Sequence, residues 1–180
     1  MQAMILGMIA FFGLIGLIIA ILYLLNLQNT IKAADPMNRK MKPGYVWLLL
    51  IPLFKVYWMF VVAKRISETI EAEYSAKGQP LPTAKPTYTV GFVMAILGVI
   101  SALLSIKSMP EQIKQIQRLL DGVVEQAPTT GGPLSVIAFI ISLASFVLWI
   151  VYWVQTAGYK NKMKMLPNNK GNDSQIFQGM

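Results

Sequence analysis

The stretch Met4–Leu25, MILGMIAFFGLIGLIIAILYLL, decides the fold, because it runs for 22 residues without a charge. About 20 apolar residues in a helix are enough to cross the ~30 Å hydrocarbon core of a bilayer. The stretch is longer than the roughly 7–15 residue apolar core of a signal peptide, and no basic residue precedes it. The end of the stretch, Tyr23-Leu24-Leu25-Asn26, lacks the small residues of a cleavage site. The stretch is therefore predicted to remain as a transmembrane helix.

The overall composition also indicates a membrane protein. Of 180 residues, 55% are hydrophobic and 13% are charged, with a mean hydropathy of +0.54, whereas a soluble domain carries about 25% charged residues. Cys and His are absent, which excludes thiolate nucleophiles, imidazole bases and the usual zinc ligands. The sequence has no Walker-type loop, dinucleotide-binding glycine motif or nucleophile elbow. It predicts a protein that is not an enzyme, with no catalytic, cofactor-binding or metal-binding residue.

Three further apolar segments are each long enough to span a bilayer as a helix. They are Tyr45–Val62, Tyr88–Ile106 and Leu134–Val154. The predicted fold class is all-α, a polytopic membrane protein with four transmembrane helices and amphipathic helical extensions outside the bilayer. Residues 1–166 are expected to form the transmembrane domain, and residues 167–180 a polar, disordered tail.

The second span is predicted to continue into water as an amphipathic helix, Lys64–Lys77. Gly78 follows it as a stop signal. The apolar residues of one face recur at helical spacing, and they are Ile66, Ile70 and Tyr74. Two carboxylate pairs occur in the same stretch, Glu68/Glu71 and Glu71/Glu73. We interpret them as a solvated helix face, since acid–base catalysis needs a shielded pair.

A second amphipathic stretch is predicted after the third span. Pro110 suits the first position of a helix and Glu111 suits its first turn. The apolar face of this stretch consists of Ile113, Ile116, Leu120 and Val123. The sequence therefore predicts a new helix that begins at Pro110.

Small residues indicate how the helices pack, because they let helix backbones approach closely in lipid. The third span carries them at heptad spacing, at Gly91, Ala95, Gly98, Ala102 and Ser105. The fourth span carries Ser135, Ala138, Ser142 and Ser145. We predict that these two faces meet. Ordinary bundle packing and an interface with a partner or a second copy are the two alternatives.

Aromatic and basic residues after the fourth span are typical of a membrane interface. Trp149 and Trp153 precede Lys160 and Lys162, the order of an aromatic belt followed by snorkelling lysines. In a four-span chain the two sides carry eight and seven Lys/Arg, so the positive-inside rule does not separate the orientations. The first span has no basic residue before it and several after it, which favours N-out, whereas the final lysine cluster favours C-in. Both termini are predicted to be cytoplasmic.

Lys55 is the one ionisable residue inside a predicted span, where a charge costs about 3 kcal/mol on insertion scales. It follows Pro52, so a kink there would let the ammonium snorkel or enter a polar pocket. Alternatively, Lys55 pairs with a carboxylate or carbonyl of another subunit, since no Asp or Glu lies in any predicted span. A third alternative is an anionic substrate or lipid headgroup. Lys55 and Pro52 are the candidate partner or lipid contacts.

The stretch Asn38–Trp47, NRKMKPGYVW, is followed by Ile51-Pro52-Leu53-Phe54 and then by Arg65-Ile66. This order of Pro-Gly, Trp and Ile-Pro resembles a widespread bacterial family of four-helix membrane proteins, a domain of unknown function. With WIVYWVQTAGY at 149–159, it is similar to the form found in Bacteroidota. The resemblance covers nearly the whole chain and implies four spans in the bacterial inner membrane. It supplies no functional residues, and the charge at Lys55 departs from its pattern.

The net charge of +8 is spread along the chain, with no Lys/Arg run longer than two residues. We interpret these residues as flanks of the spans that face anionic headgroups, and no nucleic-acid partner is predicted. Membrane lipids and other integral membrane proteins, or a second copy, are the expected partners. The predicted function is an accessory or scaffold subunit of a larger membrane complex. The alternative is a small channel, carrier or lipid-binding protein that uses Lys55.

Overall fold

The computed structural model describes residues 2–120 and 133–167. Within these ranges all regular structure is helical, in the order α1 (Gln2–Lys32), a 3₁₀ helix (Pro43–Leu50), α2 (Pro52–Ala76), α3 (Tyr88–Leu120) and α4 (Pro133–Met165). The all-α prediction is confirmed for this part of the chain. The disordered tail predicted for 167–180 lies, beyond Pro167, outside the described residues.

Two segments of the described helices are long and apolar enough to cross a bilayer. They are Leu6–Lys32 in α1 and Val136–Met165 in α4. A shorter apolar helix covers Tyr88–Leu104 at the start of α3. The first and fourth predicted spans therefore correspond to candidate membrane helices, and the third corresponds to the shorter one.

The second predicted span, Tyr45–Val62, is not one helix. Ile51 has an extended conformation, with φ −81° and ψ 112°, between the 3₁₀ helix and α2. Pro52 has no N–H to donate and crowds the preceding residue out of the helical region, which explains the break. The Trp58 indole N–H donates to the Tyr45 carbonyl at 2.7 Å, so the two halves lie side by side as a hairpin. The prediction of one continuous helix here was wrong.

Both ends of this hairpin lie at the same end of the molecule. The backbone N–H of Lys40, before the hairpin, donates to the Thr69 hydroxyl, after it, at 3.1 Å. The eight residues of the 3₁₀ helix rise about 2.0 Å each, and α2 rises about 1.5 Å per residue up to Val62. Each half therefore reaches about 16 Å, roughly half of a ~30 Å hydrocarbon core. The chain therefore reverses its direction after about half of the distance that a transmembrane helix covers.

α1, α2 and α4 run in the same direction, and α3 runs in the opposite one. Asn26 of α1 donates to Thr156 of α4 at 2.8 Å, and nearer the N-terminus of both helices the ring centroids of Tyr23 and Trp149 are 5.3 Å apart. α1 and α4 are therefore parallel. α2 and α3 are antiparallel, with contacts at Phe60–Phe92, Ala63–Gly91 and Met59–Gly98.

The buried core lies at one end of the bundle, formed by residues 24–42, 62–90 and 152–166, which we call the polar end. Fully buried side chains there include Ile31, Ile66, Ile70 and Met163. A second part of the bundle, which we call the apolar half, comprises residues 2–23, 43–61, 91–106 and 136–151. Its large hydrophobic side chains mostly face outward, with Phe11 61% and Phe139 69% exposed. Such a surface suits lipid rather than water.

The helix predicted over Lys64–Lys77 is confirmed as the C-terminal part of α2, and its extension into water stays a prediction. The helix ends at Ala76, and Gly78 takes φ +64°. The Gly78 N–H donates to the Ser75 carbonyl at 3.1 Å and the Gln79 N–H to the Tyr74 carbonyl at 3.0 Å. This pair of bonds is a Schellman motif, which a glycine at positive φ permits.

α3 continues through Pro110 to Leu120 as one helix, so the prediction of a new helix at Pro110 was wrong. A proline inside a helix removes one backbone hydrogen bond, a loss that the remaining bonds of a 33-residue helix outweigh. Ile113 and Ile116 are exposed on this part of α3. Val123, predicted for the same apolar face, lies outside the described residues.

Candidate functional site

Glu73 is the charged centre of the polar end, with a fully buried side chain. The Asp35 backbone N–H and the Asn38 amide donate to its Oε2 at 2.9 and 2.7 Å. The Lys77 ammonium lies 2.8 Å from its Oε1. Burial by itself raises the pKa of Glu73, but the hydrogen bonds from Asn38, Lys77 and Asp35 outweigh it and hold the pKa below its ordinary value. The carboxylate therefore joins the connector after α1 to α2 in its ionised form.

The interpretation of the α2 carboxylates as a solvated face was wrong for Glu73. It follows Ile66 by seven residues and Ile70 by three, so it lies on the buried face of the helix. This spacing was the available signal. The interpretation agrees with the position of Glu68, which forms an exposed ion pair with Arg65 at 2.9 Å. Such a surface pair contributes little to stability.

A second polar cluster joins α1 to α4. Beyond the Asn26–Thr156 bond, the Thr30 hydroxyl shares its proton between the Asn26 carbonyl of its own helix, at 2.8 Å, and the Thr156 carbonyl of α4, at 3.2 Å. The Lys160 ammonium donates to the Asn26 Oδ1 at 3.2 Å. Lys160, predicted as an interface anchor, therefore also takes part in interhelical packing. These bonds satisfy polar groups that burial would otherwise leave unpaired.

Of the other predicted interface anchors, Trp149 and Trp153 contact α1, and Lys162 contacts its own helix, α4. The rings of Trp149 and Trp153 have their centroids 5.3 and 5.8 Å from that of Tyr23. The Lys162 ammonium lies 5.5 Å from the centroid of the Tyr159 ring, a cation–π contact. Their role as anchors at a bilayer surface stays a prediction.

The small residues of α3 lie mainly against α2. A Cβ on Gly91 would meet Ala63 at 2.8 Å and Tyr152 of α4 at 2.6 Å, and a Cβ on Gly98 would meet Met59 at 3.3 Å. Ala95 is fully buried. On this face Ala102, and Ala138 and Ser145 on α4, are half-buried, whereas Ser142 is exposed. The predicted side chains of Ser105 and Ser135 lie outside the described part of the structure.

Lys55 lies in the first turn of α2, close to the tip of the hairpin, and its side chain is exposed. It lines a cavity of about 580 Å³. The other walls are mostly apolar and come from α1, the 3₁₀ helix, α3 and α4; they include Ile19, Leu50, Met94, Phe146 and Trp149. Within residues 2–120 and 133–167, the Lys55 ammonium has neither a hydrogen bond nor an ion pair. Pro52, at the start of α2, positions Lys55 by ending the preceding 3₁₀ helix.

The charged and polar side chains described above can pair with ions and can link the helices through hydrogen bonds. Among the described residues, no cluster of three or more acidic side chains is arranged to hold a metal ion. Comparison with protein-family models, with curated proteins and with solved structures finds no match. Lys55 and its cavity are the feature of this structure that helix packing alone does not explain.

Proposed function

We propose that this chain is an integral protein of the bacterial inner membrane that crosses the bilayer three times, through α1, α3 and α4. The segment Pro43–Val62 enters and leaves on the side of the polar end. This replaces the four-span arrangement predicted from the sequence. The parallel directions of α1 and α4 support it, because four crossings would make the first and last helices antiparallel.

The distribution of charge supports an orientation for this arrangement. Of the Lys and Arg residues in the described ranges, eleven lie at the polar end and three lie on α3 beyond Ile106. The positive-inside rule then places the polar end in the cytoplasm. The N-terminus is outside and α4 ends inside, in place of two cytoplasmic termini. The basic residues after the first span and the final lysine cluster, which disagreed under four spans, agree under three.

Cysteine labelling tests this arrangement, since the chain contains no natural Cys. Met37→Cys and Ala84→Cys place exposed thiols before and after the hairpin. We expect a membrane-impermeant maleimide to label both only after the cells are opened. Gln117→Cys, exposed near the end of α3, is the opposite-side control and is expected to react in intact cells. Labelling of Met37→Cys and Ala84→Cys from opposite sides would restore the four-span arrangement.

Within the membrane, we propose that the protein acts as a non-enzymatic accessory or scaffold subunit of a larger complex. Lys55 carries this proposal: it is a charge in the apolar half, without a partner among the described residues, in a chain whose apolar segments contain no carboxylate. A helix of a partner that carries an Asp or Glu would neutralise it. The N-terminal part of α1 adds support, because Gly7, Gly13 and Gly16 have no neighbour within 4 Å of an added Cβ and leave room for a second helix.

Recovery of the complex from gently solubilised native membranes, followed by mass spectrometry, tests this function. We expect a stoichiometric integral-membrane partner with the natural protein and with Lys55→Arg. Lys55→Met is expected to reduce recovery at least about tenfold, since it leaves the partner's carboxylate unpaired in lipid. Lys64→Met, at an exposed lysine of α2, is the matched control and is expected to change nothing. Equal recovery with Lys55→Met would contradict the proposal.

The size and apolar lining of the Lys55 cavity favour a second candidate, the binding of an anionic amphiphile. In this case the acyl chain would occupy the cavity and its carboxylate or phosphate would pair with Lys55. The same experiment separates the two functions. Recovery of the protein alone, with a tightly held anionic lipid that Lys55→Met releases, would support lipid binding and reject the subunit.

A further inference from the structure

α3 continues well beyond its apolar segment as one helix. The helix ends at Leu120, whereas its apolar segment ends at Leu104. About 16 residues therefore follow the apolar segment, a length of about 24 Å. Their four charges do not suit the hydrocarbon core of a bilayer, and they are Lys107, Glu111, Lys114 and Arg118. When α3 crosses a bilayer, residues 105–120, which we call the α3 extension, project from it into water.

The α3 extension reaches past the two helices that pack against α3. These helices are α2 and α4, and both run antiparallel to α3. Gly91 lies against Tyr152, so the first residue of α4 is level with about residue 110 of α3. Gly98 lies against Met59, so the first residue of α2 is level with about residue 105. Beyond these points neither helix lies beside the extension.

A stripe of large apolar side chains runs along the extension. Each is between 52% and 63% exposed, and they are Ile106, Met109, Ile113 and Ile116. Their alternating spacing of three and four residues places them at the a, d, a and d positions of a heptad, on one face of the helix. The preceding d positions are Ala95, which is buried, and Ala102, which is half-buried. The residues of this face therefore change from small to large where the partners within the chain end.

The charges of the extension are distributed so that identical stripes can pack together. In the same heptad all four charged residues occupy b and f positions, on the side of the helix away from the stripe. The e and g positions flank the seam of a coiled coil and select its partner by their charges. In this sequence they carry no charge, and they are Ser105, Pro110, Gln112, Gln117 and Leu119. Two copies of the extension therefore meet without repulsion between like charges.

A second copy of the chain presents its own stripe in the matching position. Copies of one membrane protein cross the bilayer in the same direction, so their α3 extensions are parallel and begin at the same height above it. Ile113 of one copy then lies opposite Ile113 of the next, and each apolar stripe meets itself in register. Packing of the stripes removes from water a row of large apolar side chains that no neighbour within the chain covers on the described part of α3.

We propose that copies of this chain associate through their α3 extensions, as a parallel coiled coil on the side of the membrane opposite the polar end. The proposal rests on the crossing of the bilayer by α3 proposed above, and it does not involve Lys55. The Lys55 cavity and the N-terminal part of α1 stay available to a different subunit.

Disulfide cross-linking in isolated native membranes tests the proposal, since the chain has no natural Cys. Ile113→Cys and Ile116→Cys each place one thiol on the stripe, at an a and a d position. In a parallel seam each thiol meets its own copy, and a disulfide requires Cα atoms within about 6.8 Å of each other. With copper phenanthroline as the oxidant, we expect both variants to form a disulfide-linked dimer.

Arg118→Cys is the matched control, at an exposed f position of the same extension. Two f positions lie on the outer sides of a helix pair, about 14 Å apart, so at least about tenfold less dimer is expected. Equal cross-linking of the three variants, or no dimer with Ile113→Cys and Ile116→Cys, would overturn the proposal. A thiol in Ile113→Cys that forms no dimer and is protected from a maleimide would show that a different protein covers the stripe.

The same membranes separate this proposal from the function proposed for Lys55. Lys55→Met combined with Ile113→Cys is expected to lose the partner subunit and to keep the dimer. Recovery of the partner without a dimer would reject self-association and leave the role of Lys55 unchanged. Labelling of Gln117→Cys, described above, tests the crossing of the bilayer by α3 itself.

Discussion

Replacement of Glu73 by alanine is expected to lower the free energy of unfolding by about 3 kcal/mol, because it leaves the largely buried Lys77 ammonium without its counter-charge. It also removes the acceptor of the Asp35 N–H and the Asn38 amide. The connector after α1 then loses two of its bonds to α2. Thermal or denaturant unfolding of the purified protein in detergent, followed by circular dichroism, measures the loss.

Glu71→Ala is the matched control, two residues away on the same helix. Glu71 is half-buried and accepts one hydrogen bond, from Ser67 at 3.0 Å, so its loss is expected to cost below about 1 kcal/mol. A loss with Glu73→Ala no larger than with Glu71→Ala would contradict the importance of the buried carboxylate.

The pH dependence of Glu73 gives a separate check on the same prediction. Its pKa is lower in the folded protein than in the unfolded chain, so its stabilising contribution is present above about pH 4.3, the ordinary value for glutamate. That contribution is lost as the pH falls through the folded value. The natural protein is expected to lose stability more steeply in this acid range than Glu73→Gln. Parallel acid profiles would show that Glu73 is not held ionised.

Gly91→Leu is expected to destabilise the protein by about 3 kcal/mol or to prevent its folding. Even a single Cβ at this position would lie 2.6 Å from Tyr152 Cε2 and 2.8 Å from the Ala63 Cβ. Neither atom can move freely, because Tyr152 and Ala63 are themselves buried. The backbones of α2 and α3 would have to separate. The yield of folded protein in detergent and its melting temperature measure the effect.

Two glycine variants serve as controls for Gly91→Leu. Gly158→Leu lies on α4 with nothing within 4 Å of the added Cβ, and Gly98→Ala meets the flexible end of Met59 at 3.3 Å. Both variants are expected to fold with melting temperatures close to that of the natural protein. Equal losses at all three glycines would indicate a general effect of helix glycines rather than a close approach at Gly91.

The helical fold class and the two longest apolar helices could be predicted from the sequence because they depend on local composition. A run of 22 uncharged residues such as Met4–Leu25 suits a spanning helix in any tertiary context. The end of α2 could also be predicted, since Gly78 is the residue that most easily takes the positive φ of a helix end.

The hairpin at Pro52 depends on contacts that composition does not encode. The segment Tyr45–Val62 has the length and hydrophobicity of a span, and Pro52 indicates a kink without specifying its angle. The reversal is stabilised by long-range bonds, such as those from Asp35 and Asn38 to Glu73. A pattern search along one segment does not detect such pairs.

The candidate site was predicted in part. Lys55 was identified because a charge stands out in an apolar segment, but its cavity depends on the relative placement of the four helices.

The bonds of the polar end also determine the order in which the chain can assemble. The partners of Glu73 lie within 38 residues of it along the chain, so that cluster can form as soon as the first 77 residues have left the ribosome. Asn26 and Thr156 are 130 residues apart, so the seam between α1 and α4 closes only when synthesis is nearly complete. Until then the Asn26 side chain of α1 lacks its Thr156 partner, whereas the Thr30 hydroxyl already donates to the Asn26 carbonyl within α1 at 2.8 Å.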